Sequence, residues 1–197
     1  MAQPEQAQAT LALQGLEGFD GPDAPTRVYR GPPNPEALLA HLGHEAFRPG
    51  QREAVQAALD GRDALIVMPT GGGKSLCYQL PGVASPQLTV VVSPLIALMA
   101  DQCLRMTAAG HPVVMIASGL GAAANGEALA RVRDGRARIV YCSPERFGSS
   151  SFLDAVASRD VDLLPSTRLT ASRNGGTISA PTTCGCPRRS SDSAARR

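Results

Sequence analysis

Short apolar runs of strand length alternate with helical stretches along most of the chain. The runs at 64–67, 88–92, 113–117 and 139–142 are continuously apolar, and residues 161–164 begin a fifth. Continuous apolar strands separated by helices predict a parallel sheet covered on both faces. The intervening segments predict helices over 74–80 (closed by Pro81), 95–109, 127–134 and 151–158. Two more helices precede the first strand. One spans 36–42, opened by Pro35 and ended near Gly43; the other spans 50–59 and stops at Asp60-Gly61. Ligands of such sheets bind at the carboxyl ends of the strands, so the loops that follow them are where chemistry is expected.

The two ends read differently. Residues 1–34 are rich in Gln, Ala, Pro and Gly without a sustained period and are expected to form a disordered arm. The folded domain is expected over 35–164. From Pro165 the apolar period collapses, and 165–197 are expected to be a disordered tail. The length of 197 residues fits one domain, and 43% hydrophobic content fills one core. With aromatics at 4%, that core must be built from Ala, Val, Leu and Ile.

Charge changes the picture once it is divided. Residues 1–164 hold 13 Lys/Arg against 16 Asp/Glu, a net −3, whereas 165–197 hold six Arg and one Asp, a net +5. The body is slightly acidic, so bulk charge gives no support to nucleic-acid binding and any such role must rest on motifs. The N-terminus has no basic start followed by a long apolar stretch, so no signal peptide is expected. The most apolar region, 88–100, is broken by Ser93-Pro94 and is too short to cross a bilayer. A cytoplasmic protein without membrane contact is expected. Cys77, Cys103 and Cys142 lie in apolar segments and are expected to be small buried hydrophobes. Cys184 and Cys186 form a lone C-x-C, a weak metal signal.

The segment Met68-Pro69-Thr70-Gly71-Gly72-Gly73-Lys74-Ser75 follows a predicted strand and opens a predicted helix. That context marks a phosphate-binding loop. Glycines let the backbone curl and point successive N–H groups inward as an anion nest, and the helix N-terminus adds its positive end. Lys74 is the only lysine in the chain, every other basic residue being Arg. Lys74 is expected to reach the β- and γ-phosphates of ATP, and Ser75 to ligate the accompanying Mg²⁺. Met68 stands where the common GxxxxGK[ST] spacing has its first glycine.

With Met-Pro-Thr before Gly-Gly-Gly-Lys-Ser, the loop resembles the first motif of superfamily 2 helicases. Phe47-Arg48-Pro49-Gly50-Gln51 narrows the likeness, because it resembles the adenine-recognition motif of the RecQ family. The resemblance implies a RecA-like fold, with Arg48 and Gln51 contacting the base and His44 standing where the family often has a stacking aromatic. An amide suits that task because it offers both a donor and an acceptor. The run from Thr89 through Ser93, Pro94 and Asp101 to Gln102, and the later Ser143-Pro144-Glu145-Arg146, resemble two further motifs that contact DNA. Ser93, Pro94, Gln102, Ser143 and Arg146 are the DNA-binding candidates this implies. Arg146 alone could equally be paired with a carboxylate. The likeness covers roughly residues 36–164. It implies ATP-driven 3′-to-5′ unwinding of DNA, on single strands and duplex junctions, in recombination and repair.

The family continues with an acidic DEAH box whose Asp holds Mg²⁺ and whose Glu orients the attacking water. Here Val161-Asp162-Leu163-Leu164 leads into Pro165-Ser166-Thr167-Arg168, with no acidic pair. The chain is therefore expected to be a truncated, inactive piece of such a helicase. The alternatives are a non-catalytic ATP- or nucleic-acid-binding module and an ATPase completed by a partner chain. The genetic code offers a reason for the missing box. In a frame where each codon takes the third base of one visible codon and the first two of the next, Ser166 permits Val and Thr167 permits Asp. Arg168 likewise permits Glu, Leu169 Ala and Thr170 His. The tail is expected to be an out-of-frame translation caused by a single-base deletion near Leu164.

Overall fold

A computed structural model describes residues 28–69 and 71–167 and the backbone of Thr182 and Thr183. Its helices are α1 (Pro35–His41), α2 (Gln51–Leu59), α3 (Leu76–Ala84), α4 (Ile96–Ala108), α5 (Ala122–Arg133) and α6 (Ser150–Ala157). A 3₁₀ turn spans Pro144–Gly148. The strands are β1 (Leu88–Val92), β2 (Val113–Ile116), β3 (Ile139–Cys142), β4 (Val161–Leu163), β5 (Ser166–Thr167) and β6 (Thr182–Thr183).

The sheet runs in the order β2-β3-β1-β5-β6, with β4 also beside β1. All pairs are parallel except β5 with β6. Strand β1 is central: β3 takes one edge along its full length, from Thr89↔Ile139 to Val92↔Cys142. The other edge is taken first by β4 and then, at Val92↔Ser166, by β5. The segment 161–167 thus acts as one interrupted strand beside β1.

Alternation of side chains divides the core in two. Val91, Val113, Met115, Ile139 and Tyr141 pack beneath α3 and α4, against Tyr78, Met99, Cys103 and Met106. Leu88, Val90, Val114, Ile116, Val140 and Cys142 face the other way, onto Ala128, Leu129 and Val132 of α5 and Phe152 and Ala155 of α6. The expected α/β sheet with helices on both faces is what forms. A smaller cluster joins α1, α2 and α3 through Leu38, Leu39, Val55 and Leu80. Among the described residues no helix is long and apolar enough to cross a membrane.

Four expectations differ from the structure. Residues 64–67 form no strand: Leu65 makes a single bridge, and Leu65 and Val67 are each 63% exposed. A strand requires a neighbour, and both edges of β1 are already taken. Pro81 does not close its helix but sits inside α3, which starts later and runs on to Ala84. Only one more turn follows Pro81, so the helix forgoes a single N–H bond there, and Gly82 beside it allows close approach to β3: an added Cβ would lie 3.1 Å from Ile139. Helix α5 begins at Ala122, ahead of the expected residue 127, because the Ala-rich turn forms helix without an apolar period to announce it. Finally, β5 and β6 lie in the segment expected to carry no structure. Within the expected N-terminal arm, Tyr29 packs on Leu38 and its neighbours and donates to the Pro32 carbonyl at 2.7 Å. The rest of the expected disorder, residues 1–27, 168–181 and 184–197, lies outside the described residues, as do Cys184 and Cys186.

Candidate functional site

The glycine-rich loop is anchored at its base by Met68, buried with Ala54 of α2 and Cys77 of α3. A side chain at the position where the common motif has glycine therefore fixes the loop between two helices. The loop turns at Gly71 and Gly73, with φ of 76° and 79°, a region that glycine enters without strain. Gly73 has a second reason to be glycine, since a Cβ there would collide with Nε2 of Gln51. At Gly72 a Cβ would approach the Pro69 carbonyl to 2.9 Å. The loop then enters α3, and no described residue accepts the backbone N–H of Lys74 or Ser75. Two donors that the described residues leave open at a helix N-terminus suit an anion.

Three side chains hold the loop in shape. Gln51 is 1% exposed, and both ends of its amide are engaged. Its Oε1 accepts from the Arg48 backbone N–H at 2.8 Å, and its Nε2 donates to the carbonyls of Gly72 at 3.1 Å and Gly73 at 2.9 Å. Arg48 donates through Nη1 to the Gly71 carbonyl. Lys74 curls over its own loop, its ammonium donating to the Met68 carbonyl at 2.6 Å and the Pro69 carbonyl at 2.9 Å. Its four-carbon stem leaves the ammonium free to swing to another acceptor.

The loop borders a cleft of about 840 Å³ lined by His44, Arg48, Gln51, Gly71–Gly73, Lys74, Ser75, Ser93, Gln102 and Thr167, among others. That volume suits a nucleotide-sized ligand, for which sites of about 300–1,000 Å³ are usual. The structure thus brings together the phosphate-loop residues and the three residues of the expected base site. Thr70 lies outside the described residues. Pro69 is exposed at the loop's shoulder and His44 is exposed at the mouth.

The expected DNA contacts are placed differently. Ser93 is buried, its hydroxyl accepting from the Leu95 backbone N–H at 3.3 Å. Ser143 is 1% exposed and donates to Glu145 Oε1 at 2.6 Å. That bond is the main reason the Glu145 carboxyl sits below its ordinary range, with help from the backbone, Ser118 and Arg146. Gln102 is 7% exposed and turns inward, onto Ser75 and Tyr78. These three side chains are thus each engaged by a partner within the fold. Pro94 is exposed, and Arg146 is half-buried. Arg146 pairs with no carboxylate among the described residues, and its Nε is buried without a partner there.

Residues the sequence reading did not single out also border the cleft. Tyr78 and Gln79 stand one turn beyond Ser75 on α3. Gln79 donates to the buried Tyr141 hydroxyl at 3.0 Å, tying α3 to β3. The signal that finds them is helical spacing, i+3 and i+4 from Ser75. Cys77, Cys103 and Cys142 are free thiols within the core, and burial pushes them up to about 11, 11 and 12. No group of three or more metal-ligating His, Cys, Asp or Glu occurs among the described residues.

Comparison with known proteins follows the same outline. The DEAD/DEAH box helicase family matches over residues 48–164. The ATP-dependent DNA helicase RecQ of Haemophilus influenzae is 36% identical over 132 residues, 67% of this chain and 21% of that protein. That of Bacillus subtilis is 39% identical over 131 residues, 66% of this chain and 22% of that protein. The ATP-dependent DNA helicase Q4 of Homo sapiens is 43% identical over 117 residues, 54% of this chain and 9% of that protein. The chain spans about a fifth of the length of the bacterial relatives it matches.

Proposed function

The chain belongs to the DEAD/DEAH box helicase family, and we propose that it forms the ATP-binding part of a DNA helicase of the RecQ type. In this reading ATP binding drives 3′-to-5′ movement on single-stranded DNA and the opening of duplex junctions during recombination and repair. The observation that carries it is the cradle itself: Gly71–Ser75 curl around two backbone donors that no described residue claims, beside the only lysine, at the edge of a nucleotide-sized cleft. Relatives named as ATP-dependent DNA helicases support the choice of nucleotide and of DNA.

The residues present fit both ATP and Mg²⁺. Lys74 and the N–H groups of Lys74 and Ser75 would hold the phosphates, and Ser75 Oγ would ligate the cation together with phosphate oxygens and water. When bound, Mg²⁺ neutralises charge on the β- and γ-phosphates. Arg48, Gln51 and His44, which border the cleft, are the residues proposed to meet the base, with adenine favoured over guanine. Pro94 and Arg146 are the accessible candidates for DNA contact, and the free thiols agree with a cytoplasmic setting.

A second reading has its own observation. Thr167, not a carboxylate, borders the cleft where the sheet delivers the end of β5. A module that binds ATP without hydrolysing it would look the same. Equilibrium titration with ATP–Mg²⁺ tests the site. Lys74→Ala is expected to weaken binding at least tenfold by removing a charge-assisted contact, and unchanged affinity would sink the phosphate-loop assignment. Turnover of ATP by the same sample separates the helicase reading from the binding module.

A further inference from the structure

Gln102 was expected at a DNA surface, and its actual surroundings assign it other work. It lies in the second turn of α4, buried against α3. Its amide joins two groups one turn apart on α3: Nε2 donates to Ser75 Oγ at 3.0 Å, and Oε1 accepts from the Tyr78 hydroxyl at 2.6 Å. Tyr78 is itself buried, so its proton fixes which way the amide points. A hydroxyl oxygen has two acceptor lone pairs and one proton. With one lone pair held by Gln102, the Ser75 hydroxyl loses its free rotation, and its second lone pair takes a set direction.

Two features separate this from ordinary helix packing. The bond reaches Ser75, the hydroxyl expected to ligate the cation at the start of α3, not a neighbouring surface serine. Ser75, Tyr78 and Gln102 also all border the same cleft. The amide is therefore a fixed part of the cleft wall behind Ser75, and α4 is the rigid element that supplies it.

Resting on the ATP–Mg²⁺ reading above, we propose that Gln102, oriented by Tyr78, is a positioning residue that aims the Ser75 hydroxyl at the divalent cation. Its contribution is then made toward the metal and not toward the phosphates, which the loop backbone and Lys74 hold without it. Removing the amide leaves Ser75 in place but free to rotate, so that cation binding must order it.

Calorimetric titration of the full chain with ATP, in excess Mg²⁺ and separately in EDTA, tests this. Gln102→Leu is expected to leave the affinity in EDTA within about twofold and to weaken it about tenfold in Mg²⁺, as loss of one oriented hydrogen bond predicts. Tyr78→Phe keeps the ring and the packing, and is expected to lose a smaller share of the Mg²⁺ gain. It tests the same link should circular dichroism show that Gln102→Leu does not fold. Equal weakening of Gln102→Leu with and without Mg²⁺ would make the residue a packing element and overturn the proposal. So would an unaltered Mg²⁺ gain in both variants. If the unsubstituted chain binds no ATP under either condition, the nucleotide-site reading fails first and this one falls with it.

Discussion

Replacing Gln51 by alanine removes three hydrogen bonds at once. The Arg48 N–H loses its acceptor, and the carbonyls of Gly72 and Gly73 lose their donor. At about 0.5–1.5 kcal/mol net for each bond, the loss lies between about 1.5 and 4.5 kcal/mol. Water can reach the two glycine carbonyls, which are only half-buried, so the lower part of that range, about 2 kcal/mol, is the expected effect. For a domain of this size that lowers the melting temperature by about 4–8 °C. The sharper consequence lies in binding, since the loop must then be ordered at the ligand's expense. Affinity for inorganic tripolyphosphate, which has no base to be read, is expected to fall about tenfold, along with that for ATP. Gln51→Glu is expected to be worse than alanine at neutral pH, because it sets a carboxylate against two carbonyls. Its folded pKa would be raised, so its stability should recover as pH falls through that raised value and the carboxyl regains a donor. Thermal melts at pH 7 and pH 4.5, together with tripolyphosphate titration, measure both effects. If Gln51→Ala weakens ATP binding while tripolyphosphate affinity stays unchanged, the amide reads the base only and the clamp argument is wrong.

Two further outcomes follow from the same geometry. Gly73→Ala places a Cβ at a positive φ and into Gln51 Nε2, so it should abolish detectable phosphate binding while changing global stability by no more than about 1–3 kcal/mol; wild-type affinity in that variant would contradict the loop geometry. Burial raises the thiols of Cys77, Cys103 and Cys142, so the stability they contribute is intact below pH 9.0 and lost as pH rises through about 11–12. At pH 10 the loss is up to about 1.4 kcal/mol for each thiol. Urea unfolding between pH 8 and 10 should show that slope, and iodoacetamide at pH 8 should leave all three unlabelled until the chain unfolds.

The central strands and the two-sided core were legible because residues such as Val90 and Val91, buried on opposite faces, make one continuous apolar run. Periodicity reports which side chains avoid water. It does not report which backbone groups find partners, and so 64–67 looked like a strand although nothing among the described residues pairs along its length. The phosphate loop was legible for the opposite reason: its glycines answer to backbone needs that no other residue meets, as the collision at Gly73 illustrates. The surface candidates were less so. Ser93, Gln102 and Ser143 are polar residues in motifs, and polarity suggests exposure. Each instead satisfies a neighbour within the fold, a tertiary fact that a linear pattern cannot carry. Gln51 was read as facing a base because its amide has two hydrogen-bonding ends; in the fold one end accepts from the Arg48 N–H and the other donates to the loop, a clamp that a linear pattern does not announce.

The segment after Leu164 joins sequence and fold most directly. The family match ends at Leu164, yet the chain keeps its course beside β1 for three more residues. Val92 pairs with Ser166, and Thr167 donates from its hydroxyl to the Val92 carbonyl at 3.2 Å and borders the cleft with Lys74 and Ser75. Position 167 is thus where the fold delivers a side chain to the phosphate loop, and a neutral hydroxyl stands there. Phosphoryl transfer needs carboxylates at such a place, to hold the cation and orient water. In the frame shifted by one base, codon 167 permits Asp and codon 168 Glu, within Val-Asp-Glu-Ala-His. Codons 171–186 then permit Cys-Val-Ser-Glu-Trp-Gly-His-Asp-Phe-Arg-Pro-Asp-Tyr-Leu-Arg-Leu, an aromatic-bearing run in place of one with no aromatic residue. Chance wobble matches would not select a carboxylate for a position that the sheet brings to the cleft. The gene is therefore expected to open a continuous frame when one base is restored near the Leu164 codon, and the restored protein should hydrolyse ATP where the 197-residue chain only binds it. Resequencing the locus checks the first point. A restored frame that encodes no acidic pair at 167–168, or robust ATP turnover by the present chain, would refute the argument.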